Sequence, residues 1–517
     1  MAVLKKSFIR AGLALAALAV LGTALSAGSQ DPLRGFESYV REAMKAWKVP
    51  GLAVAVIRGD RIVYAGGFGV RQLGQPAPVD ERTLFAIGSA TKTFTASLVG
   101  MLVDEGKIRL DDPVTRYLPG FRLSDPLASA EVTVRDLLTH RTGVAGGDLL
   151  WAGGEFDREE IVRRIPLVPP TWSLRSRFDY SNIMFIAAGQ VLAAAAGRSW
   201  DEALKARILD PLGMAETVST VRALPPAGNV ATPYDPADGG PIPVPWRNMD
   251  NTASAGGINS NVRDMAQWIR FQLRQGLVDG RPLLSRAFIK EMRTPQTIIP
   301  QEGKWDRMAP LAHFMAYGLG WILSDYHGRL LIQHPGGIDG MSAVVGFLPE
   351  EDLGVVVLSN LNGNLLPAAL MHRVFDAYMG LPPTDWSAVK LEFVRRAQAE
   401  EEAADKQALE ALGTGAAPPT LPLAAYAGTY RNGAWGDTVV ALADGKLTIR
   451  YGRAFVGRLE HIRHDVFLAR WNNPARGTNL VNFTIDIARQ AAQCDIYLWL
   501  VANFRRVAQG GTADAGR

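Results

Sequence analysis

The chain has 517 residues, of which 48% are hydrophobic, 21% charged and 8% aromatic, a balance that excludes a disordered or fibrous protein. At roughly 100–200 residues per domain, the length accommodates two to four domains and a large core. The formal net charge of +4 falls to +1 when Lys5, Lys6 and Arg10 of a removable N-terminal segment are set aside, so nothing asks for a nucleic-acid partner. Cys494 is the single cysteine. No intrachain disulfide, cysteine-rich metal site or other cofactor is therefore expected.

Residues 1–28 read as a secretory signal: a basic start, an apolar run from Ala11 to about Leu25, and the small residues Ala24, Ser26, Ala27 and Gly28 where a peptidase could cut. The competing reading is an uncleaved anchor, because the run is only slightly shorter than the ~18 apolar residues that span a bilayer. A secreted or periplasmic product is expected, with no membrane association beyond that signal. Next come an amphipathic helical pattern from Phe36 to Trp47 and two apolar runs, 51–57 and 61–66, joined by Arg58-Gly59-Asp60 as a β-hairpin. The pattern is helical from 85 through 105, and further helices follow between about 132 and 275, separated by loops such as 233–245. Strand-like segments return at 319–323, 330–333, 342–347 and 354–358. Early and late strands flanking a helical insertion predict an α/β domain with one sheet. A charged helix over 389–412 leads into a Gly/Ala/Pro linker, 413–422, where a domain boundary belongs. Six short β-rich runs follow, at 425–430, 438–442, 446–451, 466–471, 480–485 and 497–504, the spacing of a small barrel or sandwich.

Chemistry first appears at Ser89-Ala90-Thr91-Lys92, where a strand-like run enters a helix. The spacing places an amine one helical turn from a hydroxyl at a helix N-terminus. A lysine with a lowered pKa can take the serine proton, and backbone N–H groups at the turn can hold an oxyanion. The pattern is cheap: Ser387-Ala388-Val389-Lys390 repeats it at the start of a charged helix, where an N-cap explains it. Two further elements follow in order. Tyr180-Ser181-Asn182 offers a proton relay, if a neighbouring ammonium lowers the phenol, and an amide contact. His334-Pro335-Gly336-Gly337 opens into a strand whose glycines let a substrate backbone approach. Bland alternatives stand beside each: Tyr430-Arg431-Asn432 repeats the Tyr-x-Asn spacing, and a His before Pro-Gly-Gly can be only a turn residue. His461 and His464 read as a surface pair, His140 as a structural histidine, and Trp151 and Trp172 as residues of the site mouth or of the core.

The ordered set Ser-x-x-Lys, Tyr-x-Asn, His-x-Gly resembles the serine hydrolases related to β-lactamases and penicillin-binding proteins. Flanking segments share the likeness, among them Val49-Pro50-Gly51-Leu52, the stretch Asp136 to Gly143, Pro211-Leu212-Gly213-Met214 and Tyr317-Gly318-Leu319-Gly320-Trp321. The resemblance implies an antiparallel sheet flanked by helices with an all-helical insertion over 31–385, then a helix and linker over 386–422. A smaller likeness, carried by Tyr426-Ala427-Gly428-Thr429-Tyr430, implies a lipocalin-like β domain over 423–508. It further implies Ser89 as acylated nucleophile, Lys92 as its base, Tyr180 as proton relay, and Asn182, His334, Gly336 and Gly337 as substrate contacts, with Ser89 and Gly337 N–H groups forming the oxyanion hole. Classical β-lactamases and transpeptidases carry Lys-Thr-Gly at the third motif; His-x-Gly resembles the D-aminopeptidase, D-amino-acid amidase and esterase members. The expected partner is a small molecule or short peptide, hydrolysed as amide or ester; a β-lactamase or carboxypeptidase is the runner-up, and a non-catalytic sensor on the same fold the reading from another class. Self-association is compatible with all three.

Overall fold

The structure, a computed structural model, describes residues 31–507 except 227, 304, 306–308, 310, 412–416 and 499. The expected signal segment 1–28 and residues 413–416 of the expected linker lie outside the described residues. Helix α1, Phe36–Trp47, forms as its spacing dictates, burying Phe36, Val40, Ala43, Met44 and Trp47 along one stripe. Strands β1 (Gly51–Arg58) and β2 (Arg61–Gly69) make the expected hairpin. The principal helices of the next two hundred residues are α2 (Thr91–Asp104), α3 (Asn182–Ala196) and α4 (Val262–Leu273). Strands β3 (Thr297–Ile298), β4 (Met315–Tyr317), β5 (Ile322–Tyr326), β6 (Arg329–Ile338), β7 (Met341–Leu348) and β8 (Leu353–Ser359) complete one antiparallel sheet of order β2-β1-β8-β7-β6-β5-β4-β3. Helices α5 (Leu366–Met379) and α6 (Trp386–Ala411) close the domain.

The sheet is covered on both faces, which is why β1 reads as a continuous apolar run. Its Leu52, Val54 and Val56 point to one side and pack with α1 and α5. Ala53, Ala55 and Ile57 point to the other and pack with α2 and α4. Each fully buried Val or Leu contributes roughly 1.5–3 kcal/mol, so the two layers together fix the register. Among the described residues no single helix is long and apolar enough to cross a bilayer.

The C-terminal part is a closed eight-stranded barrel in which every strand pairs with the next and the first with the last. Its strands are β9 (Gly428–Asn432), β10 (Gly436–Ala443), β11 (Lys446–Tyr451), β12 (Phe455–Arg463), β13 (Val466–Trp471), β14 (Thr478–Ile485), β15 (Ala491–Tyr497) and β16 (Val501–Arg506). Closure removes sheet edges. The inward positions are filled by Tyr430, Ile449, Phe455, Phe467, Phe483, Phe504 and the buried Cys494.

Candidate active site

Ser89 lies in a short 3₁₀ turn, Gly88–Ala90, between the strand pair Phe85–Ala86 and helix α2. Gly88 takes φ +50°, and a Cβ there would stand 2.8 Å from the backbone N of Gly337. The glycine therefore lets the serine turn press against β6. Gly336 serves the same approach, since its Cβ would fall 1.8 Å from the Ile87 carbonyl oxygen. Gly337 itself is exposed, with open space where a side chain would be.

One turn into α2, Lys92 is fully buried, its Nζ 3.1 Å from Ser89 Oγ, 2.7 Å from Asn182 Oδ1 and 2.8 Å from the Ala255 carbonyl oxygen. Burial strips water from the ammonium and lowers its pKa to about 7, with the Asp148 carboxylate opposing the shift. Near neutral pH the amine is thus divided between charged and neutral forms. Tyr180 shares a hydrogen bond with Ser89, and its ring centroid is 4.9 Å from Lys92 Nζ. Here the structure corrects the sequence picture of a phenol acidified by an ammonium. Burial is the larger influence and pushes the phenol up, and the Asp148 charge adds to it.

Asn182, the first residue of α3, accepts from Lys92 through Oδ1 and donates through Nδ2 to Asp148, 3.1 Å away. Its amide is thus held between Lys92 and Asp148. Asp148 also accepts from the Trp151 indole at 2.8 Å. Sequence reasoning passes over Asp148, because an acid after two glycines reads as a solvated turn. The tryptophan three residues on was the one available signal, and it holds the carboxylate toward Asn182.

His334 needs the clearest correction. The sequence sets it among substrate contacts, yet the ring is 1% exposed and turned inward. Its Nδ1 donates to the Pro335 carbonyl at 2.7 Å, and Nε2 accepts from the Tyr317 hydroxyl at 3.0 Å. Burial and the neighbouring Lys92 hold its pKa down to about 3, so the ring is neutral. His140, also buried, accepts from the Ser181 N–H through Nδ1 at 3.0 Å and lies against Tyr180 and Tyr317, ring centroids 4.1 and 4.4 Å apart.

The motif repeats lie elsewhere. Ser387 accepts from the Trp47 indole at 3.0 Å, in the cluster on the opposite face of the sheet. Tyr430 is inside the barrel, donating to the Tyr426 carbonyl. His461 bonds to the backbone of His464. Trp172 is 42% exposed with Arg177 over its ring.

A two-faced antiparallel sheet, a helical insertion, and a serine whose hydroxyl meets a buried lysine define a serine hydrolase of the β-lactamase and transpeptidase fold. The family described as Beta-lactamase matches residues 36–377, and the chain belongs to that family. Residues 414–508 match a second family, described as Domain of unknown function (DUF3471). The unguisins hydrolase ungD of Aspergillus violaceofuscus is 32% identical over 479 residues, covering 85% of this chain and 83% of that protein. Among solved structures, the octameric penicillin-binding protein homologue from Pyrococcus abyssi aligns with a TM-score of 0.62 at 24% identity, over 92% of this chain and all of that one. The D-amino acid amidase from Ochrobactrum anthropi SV3 aligns at 0.55 and 23% identity, over 66% of this chain and 97% of that one. These two likenesses bear on the fold.

Proposed function

We propose that the protein is an exported serine hydrolase that acylates Ser89 with small amide, peptide or ester substrates, D-configured ones among them. The observation that carries this reading is the buried Lys92 amine, 3.1 Å from Ser89 Oγ and with a pKa of about 7. Neutral Lys92 accepts the Ser89 proton as Oγ bonds to the carbonyl carbon, and the displaced electron pair moves to the carbonyl oxygen. The N–H groups of Ser89 and Gly337 receive that oxyanion. Collapse of the intermediate breaks the bond to the leaving group, which takes a proton. A phenol held protonated suits Tyr180 to donating that proton, with Lys92 resupplying it. Water attacks the ester by the same path in reverse.

Substrate choice rests on His334. A neutral ring with both nitrogens engaged inside the protein offers no cation where classical members present a lysine to a carboxylate. That favours amides and esters without a carboxylate beside the scissile bond. The hydrolase name of the ungD relative supports a hydrolytic reading. Export rests on residues 1–28.

The test is intact-protein and peptide mass spectrometry after incubation with a fluorophosphonate, D-aminoacyl amides, p-nitrophenyl esters and penicillins. A covalent increment on the peptide containing Ser89, absent in Ser89→Ala, is the expected result. Labelling confined to the Ser387 peptide overturns the mechanism, and efficient nitrocefin turnover replaces the amidase reading with a β-lactamase.

A further inference from the structure

The barrel touches the catalytic domain on both sides of Ser89. On the helical side the Tyr451 hydroxyl donates to the Leu149 carbonyl at 2.9 Å, one residue from Asp148. Close by, the backbone N–H groups of Arg453 and Ala454 donate to the Gly153 carbonyl at 2.8 and 3.1 Å. Gly452 is packed so tightly there that a Cβ would lie 2.4 Å from the Gly153 oxygen. On the sheet side Arg476 of the barrel pairs with Asp339 at 2.5 Å. Asp339 is in the β6–β7 turn, two residues past Gly337 and so roughly 7 Å further along the strand. Arg476 and Asp339 are 11% and 16% exposed, so the pair is largely dehydrated.

The path of a substrate makes this placement matter. Strand β6 pairs with β5 only as far as Gln333, so from His334 to Ile338 that side has no partner strand among the described residues. An extended substrate laid along this edge beside Gly337 gains backbone hydrogen bonds, as added strands do. Carried toward the turn, its chain runs into Asp339 and the barrel loop holding Arg476. The other approach passes Tyr180, whose ring lies against Trp305.

We propose that the barrel is a fixed end wall of the catalytic cleft, joining its helical and sheet sides through Tyr451–Leu149 and Arg476–Asp339, so that the enzyme cuts near chain ends. The inference rests on the serine-hydrolase reading and assigns its substrates a length limit on the Asp339 side. It gives the C-terminal domain a selective role without a part in bond breaking.

The full-length protein tests it with p-nitrophenyl acetate and a series of peptides of two to eight residues. Native protein should cut each peptide only next to one terminus, with internal bonds cut at least tenfold more slowly. Arg476→Glu, which sets a second carboxylate beside Asp339 at the turn, should speed the internal cuts at least tenfold and change the acetate rate less than threefold. Arg476→Lys should keep the native cutting positions, and Tyr451→Phe loosens the helical side should Arg476→Glu fail to fold. Internal bonds cut as fast as terminal ones by the native protein overturn the wall, as do unchanged cutting positions in both Arg476→Glu and Tyr451→Phe. Fluorophosphonate labelling in the same samples separates the premises: no label on Ser89 defeats the hydrolase mechanism, whereas full labelling with internal and terminal bonds cut alike defeats the wall alone.

Discussion

At the scale of single residues, the chemistry depends on a lysine that the fold holds away from water. Lys92 must be neutral to act as base, so kcat/KM should rise with pH through a limb near 7 and level above it. Lys92→Arg keeps a permanent cation and should cost at least ~10²-fold. Asp148→Asn removes the charge that raises the lysine pKa, so the limb should move to lower pH. A limb that stays put would show that Asp148 acts on geometry alone. The same group links to stability with a definite sign. Its folded pKa lies below the ordinary 10.5, so between about 7 and 10.5 the unfolded chain holds a proton that the folded chain does not. The resulting stabilisation is full above that window and fades as pH falls to about 7, by up to about 1.4 kcal/mol per unit. In denaturant melts between about pH 7 and 10, wild type should gain stability relative to Lys92→Met by that slope as pH rises, and a difference that stays constant with pH would refute the linkage.

At the scale of elements, the serine turn and β6 fit because two glycines remove the side chains between them. Gly88→Ala adds a Cβ 2.8 Å from the Gly337 nitrogen at a backbone φ of +50° that disfavours any side chain. It should cost roughly 1–3 kcal/mol in stability, measured by urea midpoint, and abolish most turnover by displacing Ser89 from Gly337. The elements that the sequence discloses are those whose pattern has one explanation. The α1 stripe and the β1–β2 hairpin are of this kind, and so is the serine at a strand-to-helix turn. Six barrel runs become eight strands because Gly457, Arg458 and His461 dilute the alternation of β12, and Gln493 and Asp495 that of β15. Burial alternates along β12 all the same, which only the closed barrel makes visible. The inward turn of His334 was illegible for a different reason: its partner Tyr317 sits on β4, two strands away with β5 between them, so only the assembled sheet brings the two side chains together.

At the scale of the whole molecule, barrel and catalytic domain share apolar packing through Phe156 and Tyr451 as well as the polar contacts. A chain ending at Leu412 carries all three motifs and should hydrolyse p-nitrophenyl acetate within about tenfold of the full protein, a change near ~1.4 kcal/mol. It should also melt lower, because Phe156 loses its cover and Asp339 its Arg476 partner. Calorimetry of the two forms checks this: an unchanged melting temperature would show that the interface contributes nothing to the catalytic domain.

The place of β1 in the sheet has a consequence in time. This early strand pairs with β8, joining Leu52 to Ser359 across 306 residues of intervening chain. Until the ribosome has delivered β8, one edge of the hairpin is bare, with Val54 and Val56 lacking their neighbours Val355 and Val357. Such a long loop closure is slow. The nascent chain therefore spends most of its synthesis as an open, sticky intermediate, and its yield in a cell depends on whatever keeps that edge covered until the last strand arrives.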